Sequence, residues 1–336
     1  MNRRTFNAMG LAAIFVQLPQ RGLAQQAARH VTGFQFASIN AGLLTASHEG
    51  MARHDVMVDN ETLFQVASCS KTATALAIMT LVRDGRIDIG MPVNRYLTRW
   101  QLPGPRGATA TISELMSHTA GTTIHGFGGY GPTDVLPDML EILAGRRPAN
   151  SGAIRARHRL FSQFRYSGGG TMVLQALIED IAGENFADYV SKNVLRPVGA
   201  SRATFAITPN ASFAHGAFEN GQAVDGGFRR HPESAAAGLW ATASDLAKVY
   251  KAILDSLNRT RNALLPPGLA EQMITPVTQQ VGLGVFVSPG RMIWHEGRNY
   301  GFDSIVAAEL TTGQVRVAIT NRNGAIESYA HRLLSQ

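Results

Sequence analysis

Three short segments carry side chains able to do acyl chemistry. The first is Ser68-Cys69-Ser70-Lys71. On a helix, residues three apart share a face, so the Ser68 hydroxyl and the Lys71 ammonium can meet. A serine hydroxyl is a poor nucleophile at neutral pH and needs an adjacent base. Lysine can serve only where burial pulls its pKa below the free value of about 10.4. The stretch from Lys71 to Val82 is apolar on nearly all sides, which predicts a helix buried in the protein centre. The second segment is Tyr166-Ser167-Gly168, just before a helical pattern. A tyrosine near cationic groups can ionise and relay protons; a core tyrosine beside a glycine turn has the same local pattern. The third is Trp294-His295-Glu296-Gly297-Arg298 at the end of a strand pattern. A lone strand histidine is usually structural, but a His-x-Gly strand end lets a substrate backbone approach closely.

The elements that must hold these segments follow from periodicity and turn residues. Phe34 to Ser47 reads as a hairpin around Ile39-Asn40-Ala41-Gly42. Leu63 to Ala67 is strand-like, and Arg83-Asp84-Gly85 stops the helix that starts near Ser68. Helices are expected at Leu115 to His118, Leu136 to Leu143, Thr171 to Ala182 and Asn185 to Val194. Thr242 to Asp245 forms a capping box for one running to about Leu257. Strands return at Gly282 to Ser288, Arg291 to His295, Ser304 to Leu310 and Gln314 to Thr320, and a closing helix at Ala325 to Leu334. Strands at both ends and helices between them predict an α+β fold in three layers, α/β/α. One antiparallel sheet is built from both termini and flanked by helices, with a mainly helical insertion. The expected sheet part covers about 27–85 and 240–336, and the helical part about 86–239.

Taken together, the three segments resemble the serine β-lactamase and penicillin-recognising peptidase superfamily. The branch they resemble holds class C β-lactamases, D-alanyl-D-alanine carboxypeptidases, D-aminopeptidases and family VIII esterases. Phe64 to Lys71 resembles that family's nucleophile segment and Leu115 to Gly121 its LLSHTSG helix. Phe164 to Thr171 resembles its Tyr-Ser-Asn region, and Gly238-Leu239 with Thr242 to Leu246 its GGL…ST..DL segment. Gly282 to Gly284, then His295 to Gly297 and Gly301-Phe302, resemble its last motif. The resemblance spans residues 25–336 as one β-lactamase/transpeptidase-like domain. It implies Ser68 as the acylated nucleophile, Lys71 and Tyr166 sharing proton transfer, and an oxyanion hole from the backbone N–H groups of Ser68 and Arg298. It also implies hydrolysis of amide or ester bonds in D-amino-acid peptides, amides, esters or β-lactams. A class C-like β-lactamase, a penicillin-binding protein with little turnover and an acyltransferase remain the alternatives.

Two positions depart from the family pattern. Gly168 stands where many members have an asparagine that binds the substrate amide. His295 replaces the lysine that attracts the β-lactam carboxylate, and a mostly neutral imidazole is a weaker anchor. Glu296 adds negative charge beside it, and the Arg298 side chain is a candidate replacement receptor.

Composition narrows the function classes. Of 336 residues, 45% are hydrophobic and 16% charged, which excludes a disordered or fibrous chain. Residues 1–24 read as an export signal: Arg3 and Arg4, an apolar run from Ala8 to Val16, then Gly22-Leu23-Ala24 as a cleavage site. Asn2 to Phe6 also resembles a weak twin-arginine signal. The expected location is periplasmic or secreted, with membrane contact only during export. The chain has 31 basic and 24 acidic residues; without Arg3, Arg4 and Arg21 the excess of seven falls to four. No basic run interleaved with aromatics appears, so a nucleic-acid partner is not expected. The single cysteine, Cys69, excludes an internal disulfide and reads as a small buried neighbour of the nucleophile. His118 and His125 lack companions at metal-ligand spacing, so no metal or other cofactor is expected, and His118 reads as bonding within its own helix and turn. A monomer acting on a small-molecule or peptide substrate is the expected working unit.

Overall fold

A tight hairpin starts the sheet. Strands β1 (Gly33–Asn40) and β2 (Leu43–Arg53) pair from Asn40↔Leu43 up to Gly33↔Gly50. The two residues between them, Ala41 and Gly42, both have positive φ (47° and 80°), as a two-residue hairpin turn matching the strand twist requires. The computed structural model describes residues 32–157, 164–209, 212–278, 280–327 and 329. The expected export signal lies outside these, as does most of the expected closing helix.

The other strands are β3 (Val56–Met57), β4 (Phe64–Gln65), β5 (Trp240–Ala241), β6 (Phe286–Ser288), β7 (Met292–Asn299), β8 (Phe302–Glu309) and β9 (Val315–Thr320). Among the described residues, seven strands form one antiparallel sheet in the order β3-β2-β1-β9-β8-β7-β6, so the strands from the two ends of the chain form two blocks joined where β1 pairs with β9. A second small sheet pairs β4 with β5. The expected α+β architecture is therefore the one found. β6 begins four residues later than the pattern suggested, because Gly282 to Val285 form a loop. β7 runs four residues further, to Asn299.

The helices are α1 (Ser70–Arg83), α2 (Ile112–Met116), α3 (Met139–Ala144), α4 (Gly168–Ala182), α5 (Phe186–Val190), α6 (Ser234–Ala237), α7 (Ala243–Leu257) and α8 (Pro267–Ile274). Residues 70–81 of α1 are all buried, as its all-round apolar sequence demands. Its threonines do not stay unpaired there. Thr72 donates to the Gly284 carbonyl at 2.8 Å, and Thr74 to the Ala235 carbonyl at 3.0 Å. α7 lies on the sheet against β1, β8 and β9. Thr242 caps it by accepting from the Asp245 N–H, but Asp245 meets the Thr242 hydroxyl instead of closing the reciprocal box. The short helices α2 and α3 do carry full capping boxes, Thr111 with Glu114 and Asp138 with Glu141. On the other sheet face, Ile305, Ala318 and Ile326 cluster with Phe36 and Tyr329.

One close approach fixes the sheet to the start of α1. Before α1 the chain makes a 3₁₀ turn, Ala67–Cys69, and Ala67 sits in the left-handed region at φ 47°. β7 packs against this turn with His295, Gly297 and Asn299 on its inner face. A β-carbon on Gly297 would lie 2.2 Å from the Val66 carbonyl oxygen and 2.9 Å from the Ser68 nitrogen. Only glycine lets the strand and the turn touch. The glycine requirement expected here is thus set by the protein's own backbone. Gly297→Ala should lower the unfolding free energy in urea by about 1–3 kcal/mol, the usual cost of overpacking. A wild-type midpoint would show that the turn can move aside freely.

Candidate active site

Ser68 lies half-buried at the turn before α1, and Lys71 one turn on. The Lys71 amine donates to Ser68 Oγ at 3.1 Å and to the Ala236 carbonyl of α6 at 2.7 Å. Among the described residues, no carboxylate is paired with it. Burial therefore dominates and pulls its pKa down to about 7, with a small opposing effect from Cys69. The lysine is poised between its charged and neutral forms near neutral pH.

Tyr166 closes the site from the α4 side. Its hydroxyl is hydrogen-bonded to Ser68, and Lys71 Nζ lies 5.0 Å from its ring centre. Burial pushes the phenol well above its ordinary value, and the bond to Ser68 only partly offsets that. The phenol therefore stays protonated. A tyrosine ionised by two neighbouring cations does not fit this arrangement, because Lys71 is half-neutral and the nearby histidines are neutral. His295 is buried on β7, its ring 6.2 Å from that of Tyr166. Its Nδ1–H donates to the Glu296 carbonyl at 2.6 Å. Burial, then Lys71, hold its pKa at about 3.

The structure therefore brings Ser68, Lys71, Tyr166, His295 and Gly297 together. Gly168, the first residue of α4, sits directly behind Tyr166. A β-carbon there would meet the Phe127 ring at 3.1 Å and the His125 carbonyl at 3.2 Å. The next residue, Gly169, is tighter still, with the Thr123 carbonyl 2.3 Å from a β-carbon position. The loop 122–127 thus crowds position 168, and a side chain there would push the Phe127 ring and the His125 carbonyl back by a few tenths of an ångström. The same contact explains why α4 starts at Gly168 rather than at Thr171: the glycines are helical because the loop packs on them.

Arg298 is the one predicted residue whose side chain leaves the site. It lies on the outer face of β7 and grips Asp303 through Nε at 2.8 Å and Nη2 at 3.2 Å. Its guanidinium is not a receptor for a substrate carboxylate, which corrects that expectation; its backbone remains next to Gly297. Glu296 shares the outer face, so its charge also points away from His295.

Other residues fall as their chemistry dictates. Cys69 is fully buried, its thiol pushed up to about 12 by burial, and touches Ser304 Oγ at 3.4 Å. It is inert packing. Trp240 belongs to the core, edge-on to Phe213, Phe228 and Phe302. Trp294 is half-buried and stacks on Phe286 at 4.7 Å, and Phe286 lies 5.1 Å from the His295 ring. Ser167 Oγ caps α4 at the Gly170 N–H and donates to the Thr123 carbonyl. His118 does not bond only locally: its ring reaches Ser167, 49 residues away. Sequence reasoning also missed His231 and Glu233, buried just before α6 and 3.8 Å apart. Burial pushes Glu233 up to about 7 and His231 down to about 4. Nothing in their local sequence signals that burial.

Known proteins share this arrangement of elements. The octameric penicillin-binding protein homologue from Pyrococcus abyssi superposes with a TM-score of 0.73 at 23% identity, over 91% of this chain and 74% of its own. A D-stereospecific amidohydrolase from Streptomyces sp. gives 0.72 at 19%, over 90% and 94%. The D-amino acid amidase from Ochrobactrum anthropi SV3, solved with L-phenylalanine, gives 0.72 at 21%, over 90% of each chain. At these identities the likeness is one of fold. The sequence model of the Beta-lactamase family matches residues 4–335, nearly the whole chain, so this protein belongs to the β-lactamase family.

Proposed function

We propose that the protein is an exported serine hydrolase that forms an acyl-enzyme on Ser68 and cleaves amide or ester bonds. The observation that carries this reading is the 3.1 Å contact between Ser68 Oγ and a lysine whose pKa is held at about 7. The neutral Lys71 amine takes the Ser68 proton as Oγ attacks the substrate carbonyl. Tyr166, kept protonated, gives its proton to the departing nitrogen or oxygen and is reprotonated from Lys71. The same groups then take a proton from the water that releases the acyl group. The backbone N–H groups of Ser68 and Arg298 are the proposed oxyanion donors.

Within that class we favour an amide or ester substrate that lacks a free carboxylate over a carboxylate-bearing β-lactam. His295 is uncharged, with its Nδ1–H committed to a carbonyl, and the Arg298 guanidinium is committed to Asp303. The fold likeness to a D-stereospecific amidohydrolase and to a D-amino acid amidase supports the same choice. Arg3, Arg4 and the apolar run Ala8 to Val16 support a reading of residues 1–24 as an export leader, and with it a site of action outside the cytoplasm.

A fluorophosphonate probe should label wild-type protein and leave Ser68→Ala unlabelled. The labelling rate should rise with pH through about 7, since only the neutral amine accepts a proton. Lys71→Ala should slow labelling by about 10²–10⁴-fold at any pH. Equal labelling of wild type and Ser68→Ala would sink the nucleophile assignment. In a panel of p-nitrophenyl butyrate, a D-amino-acid amide, a D-Ala-D-Ala peptide and nitrocefin, the ester and the amide should be hydrolysed fastest. Rapid turnover of nitrocefin alone would overturn the substrate reading.

A further inference from the structure

Tyr166 is bracketed on both sides by hydrogen bonds to a single residue. The His118 carbonyl accepts from the Arg165 N–H at 2.9 Å. The His118 Nδ1 accepts from the Ser167 N–H at 3.2 Å. The same imidazole lies over the Tyr166 ring, with centroids 4.4 Å apart. The His125 ring lies 5.1 Å from the same ring, centre to centre, and hydrogen-bonds the Tyr166 backbone.

The local backbone is shaped for this grip. α2 ends at Met116, and His118 then adopts φ 58°, in the left-handed region that costs most residues energy. That turn aims its carbonyl and its ring at the same three-residue segment. His118 is buried, and its pKa lies well below the ordinary imidazole value through burial first and the Lys71 charge second. The ring is therefore neutral, and an Nδ1 that accepts must leave its proton on Nε2. A protonated ring would point a donor at the Ser167 N–H, so neutrality is what makes the grip work.

We propose that His118 is a positioning residue for Tyr166: its carbonyl and ring nitrogen fix the Arg165–Ser167 backbone so that the phenol reaches Ser68. This rests on the reading of Ser68 and Tyr166 given above. A role in packing alone is the rival, and two substitutions separate them. His118→Asn puts Oδ1 where Nδ1 was, and asparagine tolerates positive φ. His118→Gly keeps the carbonyl, relieves the backbone, and offers Ser167 no acceptor. Both lose the imidazole ring, so a packing role predicts equal loss.

The test compares wild type, His118→Asn and His118→Gly, each checked for folding by thermal melting, with p-nitrophenyl butyrate as substrate. Crystal structures of the two variants accompany the kinetics. The expected result is a kcat lower by about tenfold or more in His118→Gly with KM little changed, since a misplaced catalytic group costs rate rather than binding. His118→Asn should recover most of that loss. In the crystals, the Tyr166 hydroxyl should leave Ser68 in the glycine variant and keep its place in the asparagine variant. Wild-type kcat in His118→Gly, equal loss in both variants, or an unmoved Tyr166 in the glycine variant would overturn the proposal. If wild type fails to label or turn over, the proposed hydrolase function falls, and the Tyr166 position in the two crystals still decides the role of His118.

Discussion

A lysine side chain taken out of water without a carboxylate partner is the constraint on which the rest of the site depends. Among the described residues, Lys71 keeps only the Ala236 carbonyl and Ser68 Oγ as hydrogen-bond partners. Such burial is costly for an ammonium, and the group relieves the cost by becoming neutral. The protein can impose this only by surrounding α1 on every side. It does so with α6 and α4 on one flank and α7 on the other. The threonines of α1 show how complete the enclosure is: each finds its partner on another element, Thr72 at Gly284 and Tyr250, Thr74 at Ala235, Thr80 at Tyr189. Unpaired, these hydroxyls would add their own desolvation penalty to that of the lysine. The stability cost of the base and the polar stitching of its helix are two sides of one arrangement.

Reactivity also needs the three segments to converge, and here backbone meets backbone. β7 comes within contact of the Val66–Ser68 turn at Gly297, and the loop 122–127 comes within contact of α4 at Gly168 and Gly169. A side chain at Gly297 or Gly169 would meet backbone at 2.2–2.3 Å and force the segments apart, and one at Gly168 would crowd the loop. The glycines therefore set distances between functional groups that none of them belongs to. The loop that packs on the start of α4 beside Tyr166 also crowds position 168, so the same segment bears on both the proton donor and the place of the family's asparagine.

Much of this was legible in the sequence because helical and strand periods convert spacing directly into contact. The Ser68–Lys71 pair follows from three-residue spacing on a helix, and the burial of α1 from its unbroken apolar pattern. The outward turn of Arg298 was equally decidable, since strand alternation puts 296 and 298 opposite 295 and 297. The start of α4 was not legible, because three glycines oppose helix formation by propensity and are helical only through the loop packed on them. The reach of His118 to Ser167 was hidden for the same reason, as was the burial of His231 with Glu233. Tertiary contacts of this kind leave no period in the chain.

The direction of Arg298 bears on specificity more firmly than its distance from Ser68 would suggest. Asp303, its partner, is buried and also accepts from the Asn323 side chain at 2.9 Å and the Gly324 N–H at 2.7 Å. Those bonds tie the start of β8 to the segment after β9. Turning the guanidinium toward a substrate carboxylate would strip a buried carboxylate of its cation, and a buried charge without its partner is strongly unfavourable. A half-exposed arginine gains little from an equally exposed substrate anion in return. Arg298 is thus held to the fold on the far face of β7. The inner face is left with a neutral imidazole, a protonated phenol and a lysine whose pKa is held at about 7, a surface suited to an acyl group without a carboxylate.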